Sequence, residues 1–176
     1  MNNFKKITPE KSGINPFLWF KDEWGLLTSG TIEDFNMMTI AWGYFGTMWN
    51  KSVFCAVVRP NRYTYEFMEK NQIFTVSFFP PEFKSDLEFC GSNSGRNVNK
   101  LFETNFEPVE EDGAVVFSQA ETVFICRKIC FQDFNPENFV DPDIIKHYPE
   151  KSYHRMYIGE IVKTLRKSSC SINSGQ

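Results

Sequence analysis

Three stretches bring together residue types able to do chemistry. In Arg59-Pro60-Asn61-Arg62-Tyr63-Thr64, two guanidiniums, a carboxamide and a hydroxyl sit between an apolar run and a segment with helical pairing. Together with the free N–H groups of a helix start, that set suits a phosphate; the competing reading is a basic turn in solvent. Cys90-Gly91-Ser92-Asn93-Ser94-Gly95-Arg96 offers flexible backbone, hydroxyls and a cation. The segment after it, Arg96 to Glu103, has helical composition and holds Lys100, although alone the stretch is equally a surface loop. In Met38 to Trp49, Gly43 and Gly46 interrupt an apolar run. Strands bulge or admit a ligand near the backbone at such points, or simply bend.

Other chemistries find little material. There is no Walker A sequence and no strand followed by G-x-G-x-x-G, so neither a nucleoside-triphosphate cradle nor a dinucleotide fold is signalled. His147 and His154 are the only histidines, too few to indicate a metal site or a Cys-His nucleophile pair. Five cysteines cannot all pair and no C-x-x-C occurs, so the expectation is reduced thiols in a cytoplasmic protein. Cys126 and Cys130, at i,i+4 on an expected strand, would share a face as buried thiols roughly 13 Å apart, too far for an unstrained disulfide. Cys90 is a candidate pocket-lining thiol, with no resolving cysteine beside it.

The elements that must position these groups follow from the apolar pattern. Glycines flank Leu26-Leu27-Thr28-Ser29, a first hairpin strand. Val53 to Val58, apolar on both faces and stopped by Arg59-Pro60, predicts a central strand. Tyr63 to Lys70 pairs Tyr63 with Phe67 and Thr64 with Met68, predicting a short helix started by Asn61 or Arg62. Phe74 to Phe79 alternates and ends at Pro80-Pro81, a half-buried strand with Phe74, Val76 and Phe78 on one face. Val115 to Phe117, Thr122 to Phe134 and Tyr153 to Leu165 add strands, the last two joined by a Pro- and Asn-rich excursion from Asn135 to Pro149. The fold class is mainly β, with a closed Greek-key barrel expected, in one domain over residues 1–176. An arm (1–22) and a small polar tail (168–176) flank a core of about residues 24–165.

Aromatic residues make up 16% of the chain, with 19 Phe, more than a small core needs to close, which points to a pocket or subunit interface. A formal net charge of −3 gives no cationic surface for nucleic acid. No apolar run approaches a membrane span, and the first residues lack the apolar core of a leader; a soluble, unexported chain is expected.

Four blocks in order resemble flavin reductase-like proteins of the flavoredoxin type. They are Asn36-Met37-Met38-Thr39-Ile40-Ala41-Trp42-Gly43, Val57 to Thr64, Cys90 to Arg96, and Met156-Tyr157-Ile158-Gly159-Glu160-Ile161-Val162. The resemblance implies an FMN-binding split β-barrel, homodimeric, with one FMN per subunit near the interface. On that likeness Asn36, Met38, Thr39, Ala41 and Trp42 meet the ring system, partly through backbone groups, and Met48 packs nearby. Val58, Arg59, Asn61, Arg62 and Thr64 hold ribityl and phosphate. Cys90, Ser94, Gly95, Arg96 and Lys100 complete the pocket. No residue of the chain is assigned a catalytic acid or base, since FMN carries the redox step.

Three functions remain open on this reading. The first is an FMN-dependent oxidoreductase with NADH or NADPH as co-substrate, passing electrons to flavin or another small-molecule acceptor. The second is an FMN electron carrier filled by a redox protein. The third is a barrel binding some other small ligand.

Overall fold

A computed structural model describes residues 4–168; Cys170 and nearly all of the expected tail lie outside the described residues. Among the described residues, ten strands and three α-helices follow in chain order. They are β1 (Phe4–Ile7), α1 (Pro16–Leu18, continued by a wide turn Trp19–Glu23), β2 (Gly25–Gly30), β3 (Phe35–Ile40), β4 (Gly43–Met48), β5 (Lys51–Val58), α2 (Tyr63–Lys70), β6 (Ile73–Phe78), α3 (Lys84–Ser92), β7 (Pro108–Glu111), β8 (Ala114–Phe117), β9 (Thr122–Asp133) and β10 (Arg155–Lys167).

The main sheet runs β3-β2-β6-β9-β10-β5-β4, antiparallel throughout, with β1 added to β10 and β7-β8 as a separate ribbon. Hydrogen bonding does not close this path: its two ends, β3 and β4, are neighbours in sequence, joined through Ala41 and Trp42, yet form no ladder. The barrel that the apolar pattern led one to expect closed is therefore split at that joint, as the family resemblance implied. The split leaves one seam where side chains and backbone are not committed to a neighbour strand.

Two apolar layers surround the sheet. Phe54, Phe74, Phe78, Phe124 and Tyr157 fill the barrel interior, Phe54 and Phe124 having ring centroids 6.0 Å apart. On the other face, Leu87 of α3 and Val116 and Phe117 of β8 pack with Phe79 and Phe106. Most of the phenylalanine surplus is thus spent on two cores. The second layer also corrects the half-buried reading of β6. Its polar face is covered by β8, where Thr75 donates to the Val115 carbonyl at 2.7 Å, so Thr75 and Ser77 are buried too.

Three further departures have local causes. The predicted helix Arg96 to Glu103 is a series of turns; the helix comes earlier, in α3, whose buried residues Asp86, Leu87 and Cys90 fall on one face and whose last turn contains Gly91. β9 carries an extra residue opposite the Ile158–Gly159 step, which reverses strand parity. Cys126 consequently points into the barrel while Cys130 is exposed, so the two thiols do not share a face. The arm contributes β1 through pairing with the far end of β10, a contact no local pattern announces.

Candidate functional site

At the split, the end of β3, the turn from β5 into α2, and the loop after α3 converge. Alternation along β5 sends Phe54, Ala56 and Val58 into the core and Val57 outward. Arg59-Pro60 stops the strand, and Arg62 stands at the start of α2 with extended backbone and no side-chain cap bond. The N–H groups of Tyr63 and Thr64 are thus free of intrahelical partners, as at any helix start.

Buried Asn36 ties β3 to α2 by donating through Nδ2 to Thr64 Oγ1 at 2.7 Å. The following loop presses on the same amide: a Cβ at Gly95 would lie 2.1 Å from Asn36 Oδ1. Glycine is required there by close approach, since any side chain would break the Asn36–Thr64 link. Thr39 donates to the Leu87 carbonyl, fixing α3 against β3.

Lys100 supplies the charge at this junction. It is 6% exposed, and its ammonium donates to the carbonyls of Met37 (2.8 Å) and Cys90 (2.7 Å). Among the described residues neither Lys100 nor Arg62 forms an ion pair. Burial pushes the Lys100 ammonium down to about 8, with Cys90 opposing and Arg62 adding to the shift. Burial likewise pushes the Cys90 thiol up to about 11, so it stays protonated near neutrality and is not a reactive thiolate. Arg59 and Arg96 are spoken for: Arg59 donates to the His147 carbonyl at 2.8 Å, and Arg96 pairs with Glu66 and donates to the Asn61 carbonyl.

These groups line two adjoining cavities that share Met38 and Arg62. The larger, about 220 Å³, is walled by Met38 to Trp42, Val57, Arg59, Arg62 and His154. The smaller, about 50 Å³, is lined by Asn36, Met38, Asn61 to Thr64, Cys90, Gly91, Asn93 to Gly95 and Lys100. An open hollow of about 540 Å³ continues from it past Gly95 to Leu101, and Arg96 lies there. Nearly all the residues expected at the site are thus brought together. Two are not: Val58 is fully buried in the core, with Val57 in its place by strand alternation, and Met48 packs with Val53, Cys55 and Ile158 in a separate cluster on the outer sheet face.

Sequence reasoning missed His154 and Tyr148. His154 is 8% exposed and lies 2.8 Å from the Tyr148 hydroxyl through Nδ1, with the Trp42 ring 5.3 Å away. Burial, then Arg59 and Arg62, push the imidazole down to about 4. The only sequence signal was a histidine just before a strand whose other end lies in the core.

A buried cation without a carboxylate, an unpaired guanidinium and a helix start around a glycine-walled pocket form a receptor for an anionic, oxygen-rich group. The family model described as "Flavin reductase like domain" matches residues 20–169. The chain belongs to the flavin reductase-like family. Membership places it among flavin-related redox proteins, and the pocket's donor set fits a flavin phosphate. The flavin reductase-like fold is shared with flavoredoxin from Methanosarcina acetivorans (21% identity, TM-score 0.64, covering 81% of this chain and 67% of that one). It is shared also with an FMN-binding domain of a flavin reductase-like enzyme from Shewanella baltica (18%, 0.71, 99% and 82%). A third likeness is the Streptomyces globisporus NADH:FAD oxidoreductase (14%, 0.61, 82% and 74%). Among curated protein sequences, none matches this chain.

Proposed function

We propose that this chain is a one-domain FMN-binding oxidoreductase that moves electrons between NADH or NADPH, or a redox partner, and a flavin or other small-molecule acceptor. The observation that carries the reading is the pair of cations, Arg62 and Lys100, left without carboxylate partners beside the start of α2. A phosphate there would compensate a charge that is otherwise buried at a cost. The solved structures that share the fold include proteins described as FMN-binding and one captured with NAD and FAD fragments, which supports the same choice.

Bound FMN would supply reversible hydride and single-electron transfer. The residues of the chain bind and orient. Arg62, Lys100 and the N–H groups of Tyr63 and Thr64 hold the phosphate; Asn36 fixes the Thr64 hydroxyl; Met38, Thr39, Ala41, Trp42 and Val57 wall the ring side and exclude water. No side chain need act as acid or base. Trp42, 45% exposed at the split, leaves a rim open to a reductant.

The outer face of β4, β5, β9 and β10 carries the Met48, Val53, Cys55 and Ile158 cluster with Tyr44 and Val162 exposed beside it, which supports a homodimer through this face. No helix among the described residues is long and apolar enough to cross a membrane; the free thiols of Cys55, Cys90, Cys126 and Cys130 support a cytoplasmic location.

Anaerobic titration of the FMN-loaded protein with NADH and NADPH tests the reading. Bleaching by either nucleotide at catalytic rates is expected. Colour that resists both but yields to dithionite overturns the nicotinamide half in favour of an electron carrier.

A further inference from the structure

We propose that Tyr148 is a positioning residue: it holds His154 as a neutral imidazole that presents its Nε2–H to the cavity beside Trp42, for a carbonyl-type acceptor on the reductant that docks there. This rests on the reading that flavin occupies the adjoining space.

Burial of the phenol argues for the direction of the hydrogen bond. Tyr148 is 4% exposed and its hydroxyl meets His154 Nδ1 at 2.8 Å. The phenol proton has no other acceptor among the described residues. A phenol that donates to Nδ1 leaves the ring proton on Nε2. That nitrogen has no protein partner among the described residues, and the ring lines the cavity.

Tyr148 is itself held from several sides. Its ring packs at 5.8 Å from Phe139 and 5.1 Å from Tyr153, and the Arg59 guanidinium lies 5.3 Å above it. The same guanidinium anchors the excursion through the His147 carbonyl. So the Asn135 to Pro149 excursion, which holds no regular strand, delivers one rigid hydroxyl to one ring.

The groups facing His154 oppose a second proton. Arg59 and Arg62 come from the β5–α2 turn, Tyr148 and His147 from the excursion, and Trp42 from the β3–β4 joint. Burial and the two guanidiniums favour the uncharged ring. The cavity thus offers cations for the anionic part of its occupants and one neutral donor for an uncharged oxygen, a division of labour a third cation would blur.

With two histidines in the chain, a long-range 1H–15N correlation spectrum of the protein without added flavin contains two rings, assigned with His147→Gln. The His154 ring is expected as the Nε2–H tautomer, neutral down toward about pH 4. In Tyr148→Phe the tautomer preference is lost and the midpoint rises. An Nδ1–H tautomer in the unmodified protein overturns the proposal, needing no variant, and so does an unaltered ring in Tyr148→Phe. In FMN-loaded protein, Tyr148→Phe should leave FMN affinity within about twofold while raising KM for the nicotinamide roughly tenfold, the factor for one hydrogen bond. Unchanged KM, or no reduction by either nucleotide, overturns the acceptor assignment. Failure of the unmodified protein to bind FMN overturns the flavin reading instead, and the tautomer then decides the role of Tyr148 alone.

Discussion

Lys100 should make FMN affinity depend on pH, because the free protein holds this amine near the point of losing its proton. Burial lowers it to about 8, and no carboxylate among the described residues restores it. A phosphate dianion beside it would favour the charged form, so above pH 8 binding must take up a proton. Near pH 7 about nine-tenths of the free protein already carries the charge; near pH 9 about a tenth does. Affinity should therefore fall about tenfold over that interval, about 1.4 kcal/mol. The flavin phosphate contributes no slope there, being dianionic already, as its second pKa is about 6. Quenching of flavin fluorescence on titration with protein measures the dissociation constant at both pH values. Lys100→Met should bind roughly 30-fold or more weakly at neutral pH, with the slope gone. Lys100→Arg should bind with the slope gone as well. A pH drop that persists in Lys100→Met, or none in the unmodified protein, refutes the assignment of Lys100 to the phosphate.

Three other outcomes follow from the geometry. Gly95→Ala forces Asn36 off Thr64 and should cost about 1–3 kcal/mol in chemical denaturation, while weakening FMN binding. Gly159→Ala places a Cβ 2.6 Å from the Phe74 ring, inside the barrel and away from the cavities, and should lose a similar amount of stability without changing FMN affinity in the folded fraction. His154 is held down to about 4 against an ordinary 6.5, so its contribution to stability is complete above pH 6.5 and is lost as pH falls toward 4. That loss, up to about 3 kcal/mol, should be smaller in His154→Gln when unfolding midpoints are compared across the interval.

What could be read from the sequence was what local pattern specifies. The Tyr63–Lys70 helix was delimited by its i,i+4 pairs and the Pro60 stop, and β5 by its two-sided apolar run. The phosphate-type cluster was legible because its donors are adjacent in sequence. The neighbouring contributors were harder. Gly91 reads as a breaker, yet it sits in the last turn of α3, where Leu87 and Cys90 hold the helix by burial. The extra residue in β9 carries no signal of its own, so the faces of Cys126 and Cys130 could not be separated. Val57 and Val58 look interchangeable until the register of β5 against β10 is known. Tyr148 and His154 meet only because the excursion folds back over Arg59, a tertiary contact with no periodicity behind it.

The most direct test of the account is the visible spectrum of the purified protein after incubation with FMN and removal of excess by gel filtration. The account predicts a retained flavin spectrum near one FMN per chain, diminished in Lys100→Met. A colourless protein, with the unmodified chain folded, would contradict the central claim that this cleft is a flavin site.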